Sequence, residues 1–255
     1  IAAAERLLAR RQGVLAARDE SDAPVAEPDQ VLGRDAPGRP LVDVGQVRAV
    51  RAEPAAIDAL LSIETFEGAS PKATTAETVE ADLQSTTHDI PIPTNDRVLR
   101  YVELFQGRLR EFLTEGLSRG VQYLPMIQSV FRAEGLPLDL AYVPLVESAF
   151  KVNAFSRTRA KGLWQFMQAT GRENGLRTDW YIDERSDPEK ATMAAARYLS
   201  TLAKLFDGDW HLALASYNGG PGRLQRAMKR SGFEDFWQLA AKPNLLPRET
   251  RDYVP

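Results

Sequence analysis

Between residues 97 and 112 the apolar side chains fall at Val98, Val102, Phe105, Leu109 and Phe112, alternating steps of four and three that line one face of a helix. The pattern predicts one helix here, with Thr94 or Asn95 as its N-cap. A second helix is predicted from a cap at Ser118 through Leu124, Ile127, Val130 and Phe131 to a stop at Gly135. The run LPLDLAYVPLVES, residues 136–148, reads as a third, with Pro137 in its first turn. Pro144 inside it has no N–H and crowds the preceding turn, so this helix should bend or end near Glu147. Ser186 or Asp187 caps a long Ala-rich helix opened by Pro188 and stopped by Gly208. Asp209 caps WHLALASYN, and Gly219, Gly220, Pro221 and Gly222 form a sharp loop before a helix reaching Gly232. No alternating β-branched run interrupts the series, which makes the second half a helical globule.

The first half has a different texture. Residues 1–18 form an amphipathic pattern with Leu7, Leu8 and Leu15 on one side, followed by an Asp, Pro, Gly and Ala-rich linker over residues 19–40. Pro54 to Phe66 suggests another helix, with Pro54 in its first turn and Ile57, Leu60 and Leu61 as its apolar side. Residues 70–95 are polar and Thr-rich and read as a connector. A boundary near Ile90 therefore separates an N-terminal extension, residues 1–89, from a helical domain, residues 90–255. Charge divides at the same place: 9 Lys and Arg against 16 Asp and Glu before it, 23 against 19 after it. The extension is acidic, and the small positive excess of the domain forms no basic stripe, so nucleic acid is not an expected partner.

Composition removes several chemistries. There is no cysteine, and the two histidines, His88 and His211, lie far apart. Thiolate nucleophiles, a zinc site and a His-based triad have little to work with, and no metal or cofactor is expected. A 44% apolar content is enough for a real core. No run approaches the roughly 18 apolar residues of a membrane span. The chain begins with Ile, so a processed or trimmed form is expected, with any signal or lipid-anchor segment upstream.

Three clusters hold polar groups where packing alone does not ask for them. Glu147 and Ser148 sit in PLVESAF, Gln165 sits among large hydrophobes in AKGLWQFM, and Tyr217 and Asn218 end the helix that runs into GGPG. Singly, each fits ordinary packing: a solvated Glu, a core run with one satisfied amide, a turn. A carboxylate among Leu145, Val146 and Phe150 is otherwise a group whose proton is held by desolvation, ready for transfer.

Taken in order, ESAF, Ser156, GLWQFM, ASYNGGPG and RETRDYV resemble the lytic transglycosylases with a goose-lysozyme-like catalytic domain. DERSDPEKAT, FDGDW and LPRETRDYVP look most like the D-type membrane-bound branch. The resemblance covers roughly Arg97 to Pro255 and departs from the pattern at Ser216, where Ala is usual, and at Trp164, where wider relatives have Met. It implies a mainly α, lysozyme-like fold of the goose type and cleavage of the β-1,4 MurNAc-GlcNAc bond of peptidoglycan without water, leaving 1,6-anhydro-MurNAc ends. Glu147 would be the single catalytic acid and base. Ser148 would stand beside it, and Ser156 would hold the N-acetyl region. Gly162, Leu163, Gln165 and Met167 would line the groove, with Trp164 and Tyr217 as aromatic faces for sugar. Asn218 would join Tyr217 beside Glu147, and Glu249 and Tyr253 would close the site from the last helix.

The chemistry is self-consistent, since one carboxylate suffices where the substrate's acetamido group and C6 hydroxyl supply the rest. A hydrolase of the goose-lysozyme type and a non-catalytic glycan-binding or scaffold module are the alternatives. The resemblance also implies periplasmic, cell-envelope localisation, a lipid anchor in the outer membrane and C-terminal LysM modules outside these 255 residues.

Overall fold

The computed structural model describes residues 71–255, together with the backbone of Glu53 and Pro54. The helix expected over residues 1–18, the linker over 19–40 and residues 55–66 of the next expected helix lie outside the described residues. Pro54, expected in a helical first turn, lies instead in β1 (Glu53–Pro54), which pairs in parallel with β2 (Ala154–Phe155). The fixed φ of proline suits an extended edge as well as a helix start.

The segment read as a connector contains helix α1 (Ala73–Ser85). Ala, Glu, Leu and Gln at seven of its positions outweigh the threonines. It is tethered rather than buried: the Lys72 N–H and the Thr75 hydroxyl both donate to Glu103 Oε1, at 2.7 and 2.8 Å. Further on, Asp89 accepts from the Leu138 N–H at 2.7 Å, while Asp139 accepts from the N–H groups of Asp89 and Ile90 at 2.8 and 3.0 Å.

The single helix expected from residue 96 is two, α2 (Asp96–Gln106) and α3 (Arg110–Gly120). Asn95 caps α2 by accepting from Arg97 and Val98 N–H groups, and Gly107 ends it. The four-three spacing runs unbroken across Gly107 although the helices bury Leu99, Leu104 and Leu117 outside it, so periodicity alone hid the break. Ser118 is not a cap: it lies inside α3, its hydroxyl donating to the Thr114 carbonyl at 2.8 Å. Helix α4 (Leu124–Ala133) opens with Pro125 in its first turn.

Residues 136–148 divide into a 3-10 turn (Leu138–Tyr142) and helix α5 (Val143–Ser148). Pro144 therefore starts a helix rather than kinking one. The expected end near Glu147 is found: Ala149 (φ 50°) and Phe150 (φ 59°) turn left-handed, and the Phe150 N–H donates back to the Pro144 carbonyl at 3.1 Å.

After β2 come α6 (Gln168–Glu173), a 3-10 turn (Glu184–Ser186) and the long α7 (Pro188–Leu205), capped by Asp187. Helix α8 (Trp210–Gly219) is capped by Asp209, and α9 (Pro221–Ser231) follows Gly220 directly, ending at left-handed Gly232. Two short helices, α10 (Phe236–Ala240) and α11 (Arg248–Tyr253), complete the described part.

The main core gathers Ile127, Phe131, Leu140, Phe150, Trp164 and Leu199. Ala191, Ala194, Ala195 and Ala196 bury the near face of α7, which lets neighbouring helices approach closely. A second cluster, including Leu212, Leu224, Phe236 and Leu239, joins α8 to α9 and α10. Helix α3 meets the α5 region through glycines: a Cβ on Gly116 would come 2.5 Å from Leu145 Cδ1, and one on Gly120 would come 2.8 Å from Phe150. The end of α5 is thereby fixed from beneath.

Candidate active site

Glu147 is 5% exposed at the end of α5, with buried Leu145 and Phe150 close in sequence. Its Oε1 accepts a hydrogen bond from the Tyr253 hydroxyl of α11 at 2.6 Å. Burial pushes its pKa up to about 8, helped by the charge of Glu249 and opposed by the Tyr253 bond, which stabilises the carboxylate. At neutral pH the carboxyl is mainly protonated. Burial also raises the pKa of Tyr253 and of Tyr217 well above the usual phenol value, with the negative charge of Glu147 adding to both. The two tyrosines are thus neutral hydrogen-bonding groups beside a protonated acid.

Helix α11 is stapled to the end of α8. The Thr250 hydroxyl donates to Asn218 Oδ1 at 2.9 Å, and Asn218 Nδ2 donates to Glu249 Oε1 at 3.3 Å. Gly219 makes the approach possible, because a Cβ there would lie 2.8 Å from Thr250 Oγ1. The Tyr217 hydroxyl donates to the Trp164 carbonyl at 2.7 Å, tying α8 to the loop after β2.

That loop is held from within. Ser156 Oγ accepts from the Ala160 N–H at 3.0 Å, and Ser148 Oγ lies 2.9 Å from the Leu163 carbonyl. Gly162 is left-handed (φ 85°), and a Cβ on it would fall 1.7 Å from the Arg185 carbonyl oxygen. Gln165, also left-handed (φ 47°), donates through Nε2 to the carbonyls of Gly162 and Ala154 at 2.8 and 3.2 Å. Its Oε1 is buried and has no hydrogen-bond partner among the described residues.

The structure brings Glu147, Tyr217, Asn218, Glu249 and Tyr253 together and sets Met167 and Glu249 in solvent. Three expected substrate-binding residues, Ser148 among them, differ. Ser148, Leu163 and Trp164 are fully buried, so none offers a side chain to a sugar. Trp164 packs on Phe131 at a centroid distance of 5.6 Å and donates its indole N–H to Thr192 Oγ1 at 3.0 Å, a core role that corrects the expectation of a stacking face. Gly162 serves the close approach to Arg185.

Sequence reasoning also passed over the group that anchors this loop. Arg185, 6% exposed, donates to both oxygens of Asp183 and to the carbonyls of Arg159 and Phe166. Lys161 joins Asp183 at 3.1 Å. Desolvation acts to raise the Asp183 pKa, but the Arg185 and Lys161 hydrogen bonds together hold it at about 2. The charge density of DERSDP was the available signal. Elsewhere, an open cleft of about 550 Å³ lies between α9 and residues 243–247, lined by Arg223, Arg226, Lys229 and Arg230. It contains none of the Glu147 group.

Residues 127–240 match the family model described as the transglycosylase SLT domain. Glu147 lies inside that match, and Glu249 and Tyr253 lie beyond it. The chain is 38% identical over 168 residues to membrane-bound lytic murein transglycosylase D of Escherichia coli strain K12, covering 64% of this chain and 36% of the relative. Over 96 residues it is 34% identical to membrane-bound lytic murein transglycosylase F of Alteromonas mediterranea, covering 33% and 19%. Over 72 residues it is 47% identical to peptidoglycan transglycosylase gp16 of Escherichia phage T7, covering 28% and 6%. The chain thus spans about a third of the length of the first of these relatives.

Proposed function

We propose, for a chain that carries a transglycosylase SLT domain over residues 127–240, that it is a peptidoglycan lytic transglycosylase with Glu147 as its single acid and base. The observation that carries this reading is a buried carboxyl with its pKa raised to about 8, held by one phenolic hydrogen bond. A protonated acid at neutral pH can give its proton to the oxygen leaving C1 of MurNAc. The acetamido oxygen of the same sugar then bonds to C1 as that C–O bond breaks. Glu147, now ionised and still bonded to Tyr253, takes the proton of the C6 hydroxyl, whose oxygen displaces the acetamido group from C1. The product is 1,6-anhydro-MurNAc, no water enters, and Glu147 ends protonated as it began.

The remaining residues support binding. Gln165 braces the loop through the Gly162 and Ala154 carbonyls, Met167 offers exposed apolar surface, and Asn218 holds Glu249 at the rim. Ser156, Gly162 and Ser148 act by shaping the loop. In this reading the protein works on glycan strands in the periplasm at the cell envelope, and any lipid anchor or LysM modules belong to sequence outside residues 1–255. Among the described residues no helix is long and apolar enough to cross a membrane.

Hydrolysis is the second reading, because Glu249 brings another carboxylate close enough to act on the Glu147 pKa. Glu249 is exposed and engaged by Asn218, which suits a rim group better than a general base. Muropeptides released from purified sacculi decide by mass: the anhydro ends are one water lighter than reducing ends. Glu147→Gln should abolish release, and Glu249→Gln should retain most of it. Reducing ends lost on Glu249→Gln would establish the hydrolase instead.

A further inference from the structure

Residues 177–183 form a tight hairpin that carries two aromatic rings into solvent. Trp180 is 92% exposed, Tyr181 90% and Ile182 40%. Isolated exposed apolar residues are ordinary, but adjacent rings on a braced turn are not scattered chance. The bracing is extensive. Asp179 Oδ1 accepts from the N–H groups of Tyr181 and Ile182, each at 2.8 Å, and the Asp179 N–H donates to the Ile182 carbonyl at 2.8 Å. Thr178 and Asp183 pair below the tip, and Arg172 donates to the Thr178 carbonyl at 2.7 Å. The backbone presenting the rings is thus fixed before any ligand arrives, which lowers the ordering cost of binding.

What covers the rings follows from their surroundings. Among the described cations at the base of the turn, Arg177 pairs with Asp179 at 2.6 Å, Lys190 with Glu184 at 2.6 Å, and Lys161 and Arg185 with Asp183 at 3.1 and 2.8 Å, while Arg172 is turned onto the Thr178 carbonyl. An anionic bilayer or nucleic acid therefore meets a rim whose cations are mostly neutralised by carboxylates. Two rings and one aliphatic neighbour are also far short of a standard protein interface. Flat, amphipathic rings do suit a pyranose, whose C–H face packs on the ring while its hydroxyls stay wet. The turn is moreover continuous with the active-site wall, since Asp183 bonds Lys161, and Arg185 bonds the Phe166 carbonyl.

We infer that the Trp180-Tyr181 tip is an accessory glycan-binding platform, taking sugar units of the same strand beyond those at Glu147. The inference rests on the reading of the chain as a peptidoglycan-cleaving enzyme. A second hold on one strand raises the effective concentration of the bond to be cut.

The test uses the full chain with Glu147→Gln, so that bound strands are not cut, and measures co-sedimentation with purified sacculi. Trp180→Ala with Tyr181→Ala should weaken binding roughly tenfold, in keeping with aromatic stacking contacts. Trp180→Phe with Tyr181→Phe, which keeps two planar faces, should restore most of it. Both pairs are on the surface, and an unchanged thermal midpoint establishes that the fold is intact. In the cleaving protein the alanine pair should lose more activity on sacculi than on short muropeptide oligomers. Flotation with neutral and phosphatidylglycerol vesicles runs in parallel. Unaltered sacculus binding by the alanine pair, or lost vesicle binding with sacculus binding intact, overturns the proposal. Cleavage by wild type is scored separately, so missing anhydro ends would sink the reading of Glu147 while the binding comparison still reports on the platform.

Discussion

The Tyr253 hydroxyl donates to Glu147 Oε1 over 2.6 Å, joining the end of α5 to a helix 106 residues further along the chain. The bond favours the ionised carboxyl while burial opposes it, and burial wins. The acid is left protonated at neutral pH yet has a partner waiting when its proton departs. That relationship organises the expected behaviour of the site.

Tyr253→Phe removes the interaction that, among the described residues, lowers the Glu147 pKa. The pKa should rise above about 8, and the alkaline fall of kcat/KM, which marks loss of the acid form, should move to higher pH. Activity at neutral pH should drop by roughly tenfold, because the carboxylate formed after proton transfer loses about 1–2 kcal/mol of hydrogen bonding. A pH-rate profile with an unmoved alkaline limb would show that the phenol does not act on this carboxyl.

Glu147→Gln should lose about 10²–10⁴-fold in turnover and yet gain stability in a pH-dependent way. Below pH 4.5 the carboxyl is protonated both folded and unfolded, so pH has no effect through it. Between 4.5 and about 8 unfolding releases a proton that the fold retains, and wild-type stability falls by about 1.4 kcal/mol per pH unit through this group. Above about 8 the contribution is flat. Gln has no such dependence. Urea midpoints at pH 5 and pH 8 should therefore show the variant's advantage widening with pH, and a constant gap would contradict the raised pKa.

Gly162→Ala and Gly232→Ala separate two effects of left-handed backbone. Both positions have positive φ, 85° and 72°, but of the two Gly162 has its Cβ position blocked, 1.7 Å from the Arg185 carbonyl oxygen. The first substitution should cost about 3 kcal/mol or more and disorder the site loop, the second about 1 kcal/mol. Equal costs in chemical denaturation would show that the close approach does not constrain the fold.

Arg185→Ala should be among the most damaging changes distant from Glu147. It removes the guanidinium donors of the Arg159 and Phe166 carbonyls and of the partly buried Asp183, a loss of about 3 kcal/mol, while the Lys161 N–H and Nζ still donate to Phe166 and Asp183. Lys161→Ala, more exposed and sharing Asp183 with Arg185, should cost no more than about 1 kcal/mol. Thermal unfolding of the two variants compares them directly.

Much of this was legible in the chain. Asn95, Asp187 and Asp209 cap where a short polar residue precedes an apolar period, and Glu147 was singled out because a carboxylate among hydrophobes needs a reason. The break at Gly107 was not, since the apolar spacing of the sequence continues across it. Trp164 was misjudged because an aromatic beside a functional Gln looks the same whether it faces ligand or core, and only the Phe131 and Thr192 contacts decide. The Arg185 bond to the Phe166 carbonyl and the clash that reserves position 162 for glycine join residues about twenty apart, so DERSDP could signal the charges but not what they hold.

Digestion of purified sacculi in 18O-enriched water tests most directly whether Glu147 moves protons for the sugar's own hydroxyl. The account predicts muropeptides with anhydro ends, free of label, and none at all from Glu147→Gln. Reducing ends carrying one 18O atom each would show that water attacks C1, and would contradict it.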